Sequence, residues 1–154
     1  MIVIKKSQSA DTRTCDWSKV SCKDLLEASK MHIKDVGKGL SLFSCMLQEA
    51  AILHDRTKIS GIEIFHKDFK TGFKTTEWWK MHQKEERHHF KTEEYIQEDV
   101  NLIDIIEMLT DGVMAGLARS GEYRQEEMPA DLLKKAFDNT IKLLLNNVTV
   151  ENKE

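Results

Sequence analysis

From Leu25 onward, apolar positions recur mainly at intervals of three and four residues, the spacing of one face of an α-helix. Leu25, Leu26, Ser29, His32, Ile33 and Val36 form the first such run. Ser21 stands at its N-cap position and Asp24 in its first turn, where a negative charge suits the helix dipole. Gly37 and Gly39 predict a kink or break, after which 40–53 predicts a second helix with Phe43, Met46, Leu47, Ala50 and Ala51 inward. The stretch 56–75 is turn-rich, with a short apolar patch at Ile62, Ile64 and Phe65. A highly charged segment follows, predicted helical at its start around Trp78 and Trp79. The clearest helix spans 100–120, with Leu102, Ile105, Ile106, Leu109, Val113 and Leu117 as its core stripe and Gly121 as its C-terminal stop. A last helix begins just after Pro129 and carries Leu132, Leu133, Phe137, Ile141, Leu144 and Leu145, apolar surface enough for a core or for an interface in a homodimer. Residues 1–20 show no helical period and read as an extended arm with one edge strand over 2–5. The expected fold is all-α: a single bundle of about five or six helices over 21–150, preceded by that arm.

Composition narrows the function classes. The chain has 154 residues, a formal net charge of −3, one proline and seven glycines. That length suffices for one core without disulfides or a structural metal. Charges are interspersed and slightly negative in sum, which argues against a general nucleic-acid or anionic-membrane binder. No run approaches the ~20 apolar residues of a membrane span. Cys15, Cys22 and Cys45 are odd in number and lack a C-x-x-C pair, as expected of reduced thiols in a cytosolic protein. Asn147-Val148-Thr149 has the form of a glycosylation sequon, which has meaning only in a secreted chain.

The polar residues on the apolar faces carry the chemistry. His32 shares the face of Leu25, Ser29 and Val36, and His54 the face of Leu47, Ala50 and Ala51. Either histidine alone is explained by a core hydrogen bond or, at His54, by a cation at a helix end. Together with Asp55 they make a candidate metal-ligand set. In the long helix Asp104, Glu107 and Asp111 fall at i, i+3 and i+7, stacking three carboxylates that repel one another unless cations neutralise them. A solvated acidic face is the plain alternative. Small residues at Gly112, Ala115 and Gly116 let another element approach Asp111, which is the favoured ligand there. His82, Glu86 and His89 share a face if their helix continues, whereas His88 fits better if it ends near Arg87. His66 reads as a surface loop residue. Lys58 and Arg87 are the cations best placed to meet phosphate, with Arg13 a further cation on the arm. Trp78 and Trp79 are placed for core packing or for stacking on a base.

His32-Ile-Lys-Asp-Val, followed by Glu49-Ala-Ala-Ile-Leu-His-Asp-Arg-Thr-Lys58, resembles the HD-domain superfamily of metal-dependent phosphohydrolases. Glu107-Met-Leu-Thr-Asp111 matches the closing aspartate of that pattern. The order His54-Asp55-x-x-Lys58, Trp79-x-x-His82, Arg87-His88-His89, Glu107-Met-x-x-Asp111 is similar to an HD-like family found in phages and bacteria. The similarity spans roughly Ser21 to Ser120. The segment after Lys58 departs from nucleotidase branches, because Glu63 is the one residue that could stand for their acidic group there. The resemblance implies that His32, His54, Asp55 and Asp111 hold one divalent transition metal (Mn, Fe, Co, Ni or Zn). A second ion would share Asp55 and take His82 with His88 or His89. Glu107 would orient a ligating histidine. The implied activity is hydrolysis of a nucleotide or related phosphate ester by metal-activated water, in the cytoplasm, or the host cytoplasm if the chain is phage-encoded. The alternative is a catalytically silent HD-like module that holds metal and binds a nucleotide or protein partner.

Overall fold

In a computed structural model the described residues are 1–6, 15–123 and 127–151. Arg13 lies outside them. The elements in chain order are strand β1 (Ile2–Lys5), helices α1 (Cys22–Leu53), α2 (Arg56–Ser60), α3 (Ile62–Lys70), α4 (Glu77–Glu85), α5 (Leu102–Ser120) and α6 (Ala130–Asn146), and strand β2 (Val148–Glu151). The class is the expected all-α one. No helix among the described residues is long and apolar enough to cross a membrane. Cys15, Cys22 and Cys45 are free thiols.

The chain divides into two compact units, 1–45 with 141–154, and 46–140. In the first unit, β1 pairs in parallel with β2, in register from Ile2↔Val148 to Lys5↔Glu151. The expected edge strand is therefore not a free arm. Its partner overlaps the sequon-like triplet, and the four residues Val-Thr-Val-Glu are too short a run to announce a strand. Lys38 Nζ of α1 donates to the Val3 carbonyl and to Asp35 Oδ1, both at 2.6 Å, which ties the strand to the helix. The N-terminus of α1 is closed as expected: the Asp24 backbone N–H donates to Ser21 Oγ at 3.2 Å, and the Ser21 hydroxyl to Asp24 Oδ2 at 2.6 Å. The glycines do not break α1. It runs unbroken for 32 residues, because a glycine costs a helix only about 1 kcal/mol. None of its residues is buried, and the predicted inward stripe, with His32, is largely exposed.

In the second unit, helices replace the turns expected over 56–75. Their inward positions are Thr57, Gly61, Phe65 and Asp68, spaced four, four and three apart. Only one of these is a large apolar residue, so hydrophobic patterning has almost nothing to register. Phe65 stacks on Trp78 with ring centroids 4.0 Å apart, and Trp78 stacks on His82 at 4.5 Å. Asp68 is buried and closes the α3–α4 connection: it accepts from the Thr75 hydroxyl, from Thr76 N at 3.0 Å and from Trp79 N at 3.4 Å. Burial pushes the Asp68 carboxyl up, but these donors outweigh it and hold it below the usual carboxylate value. Gly61 is required by close approach. A Cβ there would sit 3.0 Å from the Thr57 carbonyl oxygen and 3.2 Å from Trp78 Nε1. Gly61→Ala should therefore destabilise the protein by about 1–3 kcal/mol, as small-to-large changes in packed sites do, read as a lower urea midpoint at unchanged slope.

Helix α5 begins at a capping box. Asn101 Oδ1 accepts from Ile103 N, and Asp104 Oδ2 accepts from Asn101 N, both at 2.9 Å. Gly121, at φ 73°, ends the helix as its sequence position predicts. The stripe on α5 is rotated from the expected one. Ile106, Leu109 and Leu117 are exposed, whereas Ile103, Asp104, Ile105 and Gly116 are buried. The carboxylate row is what faces inward.

Candidate metal centre

The centre lies wholly within the second unit and starts where α1 stops. Asp55, between α1 and α2, is in the left-handed region at φ 54°, ψ 20°. Consecutive residues of an unbroken helix point about 100° apart. The left-handed residue interrupts the helix, and His54 and Asp55 converge on one centre although they are adjacent. Asp is among the few non-glycine residues that adopt this conformation at low cost. Helix α4 brings His82, and the turn after it brings His88 and His89. From α5 come Glu107 and Asp111, one turn apart.

Ligand-type atoms gather in two groups, His54 with His88 and Asp111, and Asp55 with His82 and His89, each group within 4.8 Å. Asp55 stands between them. Its Oδ1 is 3.3 Å from His82 Nε2 and 3.8 Å from His88 Nε2, and its Oδ2 is 3.4 Å from His54 Nε2. His54 Nε2 is also 3.7 Å from Asp111 Oδ1, and His89 Nε2 is 2.8 Å from His82 Nε2. Both His88 and His89 take part, each in a different group, where the sequence pattern leaves a choice between them.

Hydrogen bonds at the far side of the rings assign which nitrogens are bare. Thr57 has one hydroxyl proton, which it donates to Glu86 Oε1 at 2.6 Å; Glu86 Oε1 also accepts from Thr57 N at 3.0 Å. Thr57 Oγ1, 2.6 Å from His82 Nδ1, must therefore accept the proton of that nitrogen. His82 Nε2 is left as a lone pair, 2.8 Å from His89 Nε2 and 3.3 Å from Asp55 Oδ1. Glu107 Oε1 does the same for His54, whose Nδ1 is 2.9 Å away, and it lies 3.0 Å from His88 Nδ1 as a charge contact without hydrogen-bond geometry. His88 is 2% exposed, and its Nε2 has no hydrogen-bond partner; neither does the buried Asp55 Oδ1. Lone pairs and carboxylate oxygens thus face one another across 3.3–3.8 Å. Polar atoms buried in this way are costly unless something positive lies between them. The donor set, imidazole with carboxylate, suits a divalent transition ion better than Mg²⁺ or Ca²⁺. The residues present fit such an ion.

The electrostatics follow from burial and these partners. Burial pushes His82 down to about 4 against the pull of Asp55, and pushes His89 down to about 3 with help from His88 and His82. Burial also opposes charge on His88, but the Glu107 carboxylate, then Asp55 and Asp111, outweighs it and raises His88 above its ordinary value. Conversely, burial raises Asp55 and Glu107, yet the Lys58 ammonium in one case and the His88 and His54 rings in the other leave both carboxyls below their usual range. Lys58 is ion-paired with Asp55 Oδ2.

Two expected site residues lie elsewhere. His32 belongs to the first unit, is exposed, and is in neither ligand group. His88 takes the place in the first group that the resemblance gave to His32. Arg87 is not a free phosphate ligand: its Nε and Nη2 grip Asp104 at 2.8 and 2.9 Å, and its Nη1 and Nη2 reach Asp99 Oδ1 and the Asp99 carbonyl at 3.0 and 3.3 Å. Asp104's carboxylate first, and Asp99 after it, raise the Arg87 pKa against the effect of burial. The three stacked carboxylates of α5 are thus each occupied, Asp104 by Arg87, Glu107 by two imidazoles and Asp111 by the first group. His66 is exposed on α3 rather than in a loop, and Glu63 is exposed beside it. Thr57 and Glu86 act on His82 without standing out as site residues in the sequence. Glu86 is visible there as a neighbour on the His82 face; a lone threonine in an expected turn gives no signal.

No curated protein and no solved structure matches the chain. Residues 21–150 match the family described as "Family of unknown function (DUF5662)", and that span includes every residue of both ligand groups. The chain therefore belongs to DUF5662.

Proposed function

We propose that this protein is a metal-dependent phosphohydrolase of the HD type, acting on a nucleotide or related phosphate ester. The observation that carries the reading is the set of bare imidazole nitrogens, held in one tautomer by Glu107 and by Thr57–Glu86, around the unpaired Asp55 Oδ1. When bound, a divalent transition ion would polarise a phosphoryl oxygen and make water nucleophilic near neutral pH. His54, His88 and Asp111 would hold one ion, and Asp55, His82 and His89 a second. The chain's own residues do the rest. Glu107 fixes the His54 ring and sets its charge against His88, and Thr57 with Glu86 fixes the His82 ring. Lys58 sits on Asp55 Oδ2, which leaves the other donors of its ammonium to meet a phosphoryl oxygen. The buried Trp78, stacked on His82, excludes water from the back of that ring.

Elemental analysis of the natively purified chain, followed by assays on phosphomonoesters and phosphodiesters with Mn²⁺ or Co²⁺ added, tests the reading. Bound transition metal and metal-dependent turnover are expected. A chain that binds neither ion after reconstitution would overturn it, and stoichiometric metal without turnover would leave a metal-holding binding module. Glu107→Gln should weaken metal binding about 10–100-fold, as loss of such orienting partners does, with unchanged helical circular dichroism. Competitive titration with a chelating dye would measure it.

A further inference from the structure

A cavity of about 350 Å³ opens beside the metal centre. His88, His89 and Asp111, members of both ligand groups, line it, and so do Lys91 and Arg119. Asp111 and Arg119 are eight residues apart on α5, about 12 Å along its axis. Between them Gly112 and Gly116 line the same cavity and leave the helix surface bare. Lys91 and Arg119 are exposed, and among the described residues neither has an ion-pair partner. That sets them apart from Arg87, whose donors Asp104 and Asp99 take up. The lining has two carboxylates, Asp111 and Glu127; with Asp111 counted in the first ligand group, Lys91 and Arg119 face one carboxylate, Glu127, in the rest of the cavity. The second cavity that meets Asp111, about 280 Å³, is lined chiefly by apolar residues such as Leu47, Ile106 and Met114 and has no lysine or arginine. His88, whose buried Nε2 has no hydrogen-bond partner, also lines the cationic cavity, so the cavity adjoins the candidate ligand groups.

We infer that this cavity binds a substrate with two anionic groups, the reacting phosphate at His88, His89 and Asp111 and the second anion at Lys91 and Arg119. The inference rests on the phosphohydrolase reading for the first group and on the cavity's own charges for the second. It narrows the substrate class to phosphate esters that carry a further phosphate or carboxylate, such as an oligophosphate chain. Neutral-tailed monoesters lack the group that the cations would hold.

Calorimetric titration with sodium tripolyphosphate and with inorganic phosphate tests it, on the full natively purified chain and on its Asp55→Ala form. Arg119→Ala and Lys91→Ala would be made in both backgrounds. Tripolyphosphate should bind more tightly than phosphate, and each substitution should weaken it about tenfold, the effect of losing one exposed charge-assisted contact. Arg119→Lys should restore part of the loss. Both cations lie on the surface, so their removal leaves folding intact, checked by circular dichroism. Unchanged tripolyphosphate affinity in the double variant, or no binding by the wild-type chain, would overturn the inference. The Asp55→Ala background separates the two readings. Cation-dependent binding that persists there, in a protein that never takes up metal, would sustain the anion site while the phosphohydrolase reading fails. Metal and turnover, with tripolyphosphate affinity indifferent to Lys91 and Arg119, would overturn the anion site while the phosphohydrolase reading stands.

Discussion

Asp55→Ala should abolish both metal content and turnover while the helices remain. Asp55 is the residue common to the contacts of both ligand groups, within 3.3–3.8 Å of His82, His54 and His88 Nε2. Its loss leaves each group short of a carboxylate. An ion held by two imidazoles and at most one carboxylate keeps too few ligands for tight binding. The effect on turnover should exceed the ~10–100-fold expected for an orienting residue such as Glu107. Alanine at φ 54° adds backbone strain, so Asp55→Asn is the companion variant. Asn tolerates the left-handed conformation but does not supply the charge. Elemental analysis and kcat should fall together in both variants, and only the alanine should lose additional thermal stability. Full metal stoichiometry in Asp55→Asn would sink the assignment of Asp55 as a ligand.

Arg87→Ala should act in the opposite sense, on stability and not on chemistry. The guanidinium joins the turn after α4 to the capping box of α5 through four hydrogen bonds. Asp104, with its side chain 5% exposed, would keep only its bond from Asn101 N. Removing one partner of a buried pair costs about 3–5 kcal/mol. The Arg87 side chain is 37% exposed, and solvent screening reduces the expected cost to about 2–3 kcal/mol. For a chain of this size that lowers Tm by roughly 5–10 °C. At temperatures where the variant is folded, KM for a phosphate ester should stay within about twofold of wild type. A large rise in KM without loss of Tm would restore Arg87 to phosphate binding.

The histidine and aspartate positions that cluster in the second unit are legible in the sequence because residue types able to hold a metal are few. His54, Asp55, His82, His88, His89 and Asp111 stand out by type and spacing before any geometry is known. Their grouping does not, since it depends on a left-handed residue at 55 and on a turn at 87–88, neither of which has a periodicity. His32 lies on the expected stripe of α1, but that stripe, Leu25, Ile33 and Val36 included, is exposed: helical spacing groups residues on one face without saying what covers it. Arg87 fails because a cation's sequence position does not reveal which carboxylate it already serves. The α2–α3 segment reads as turns because its inward face is threonine, glycine, phenylalanine and aspartate. Helices whose buried side is polar elude hydrophobic patterning, and here that polar side includes Thr57, which holds His82 in its tautomer.

The parallel pairing of β1 with β2 has a consequence for how the chain is made. Residues 46–140 are contiguous and can collapse while later residues are still being synthesised. Ile2–Lys5, by contrast, is synthesised before the second unit and finds its strand partner only when Val148–Glu151 has emerged. The residues of both candidate ligand groups are therefore together before the two strands can pair. Deleting residues 148–151 should leave β1 an unpaired strand edge, exposed to pairing with other chains, without touching a single candidate ligand.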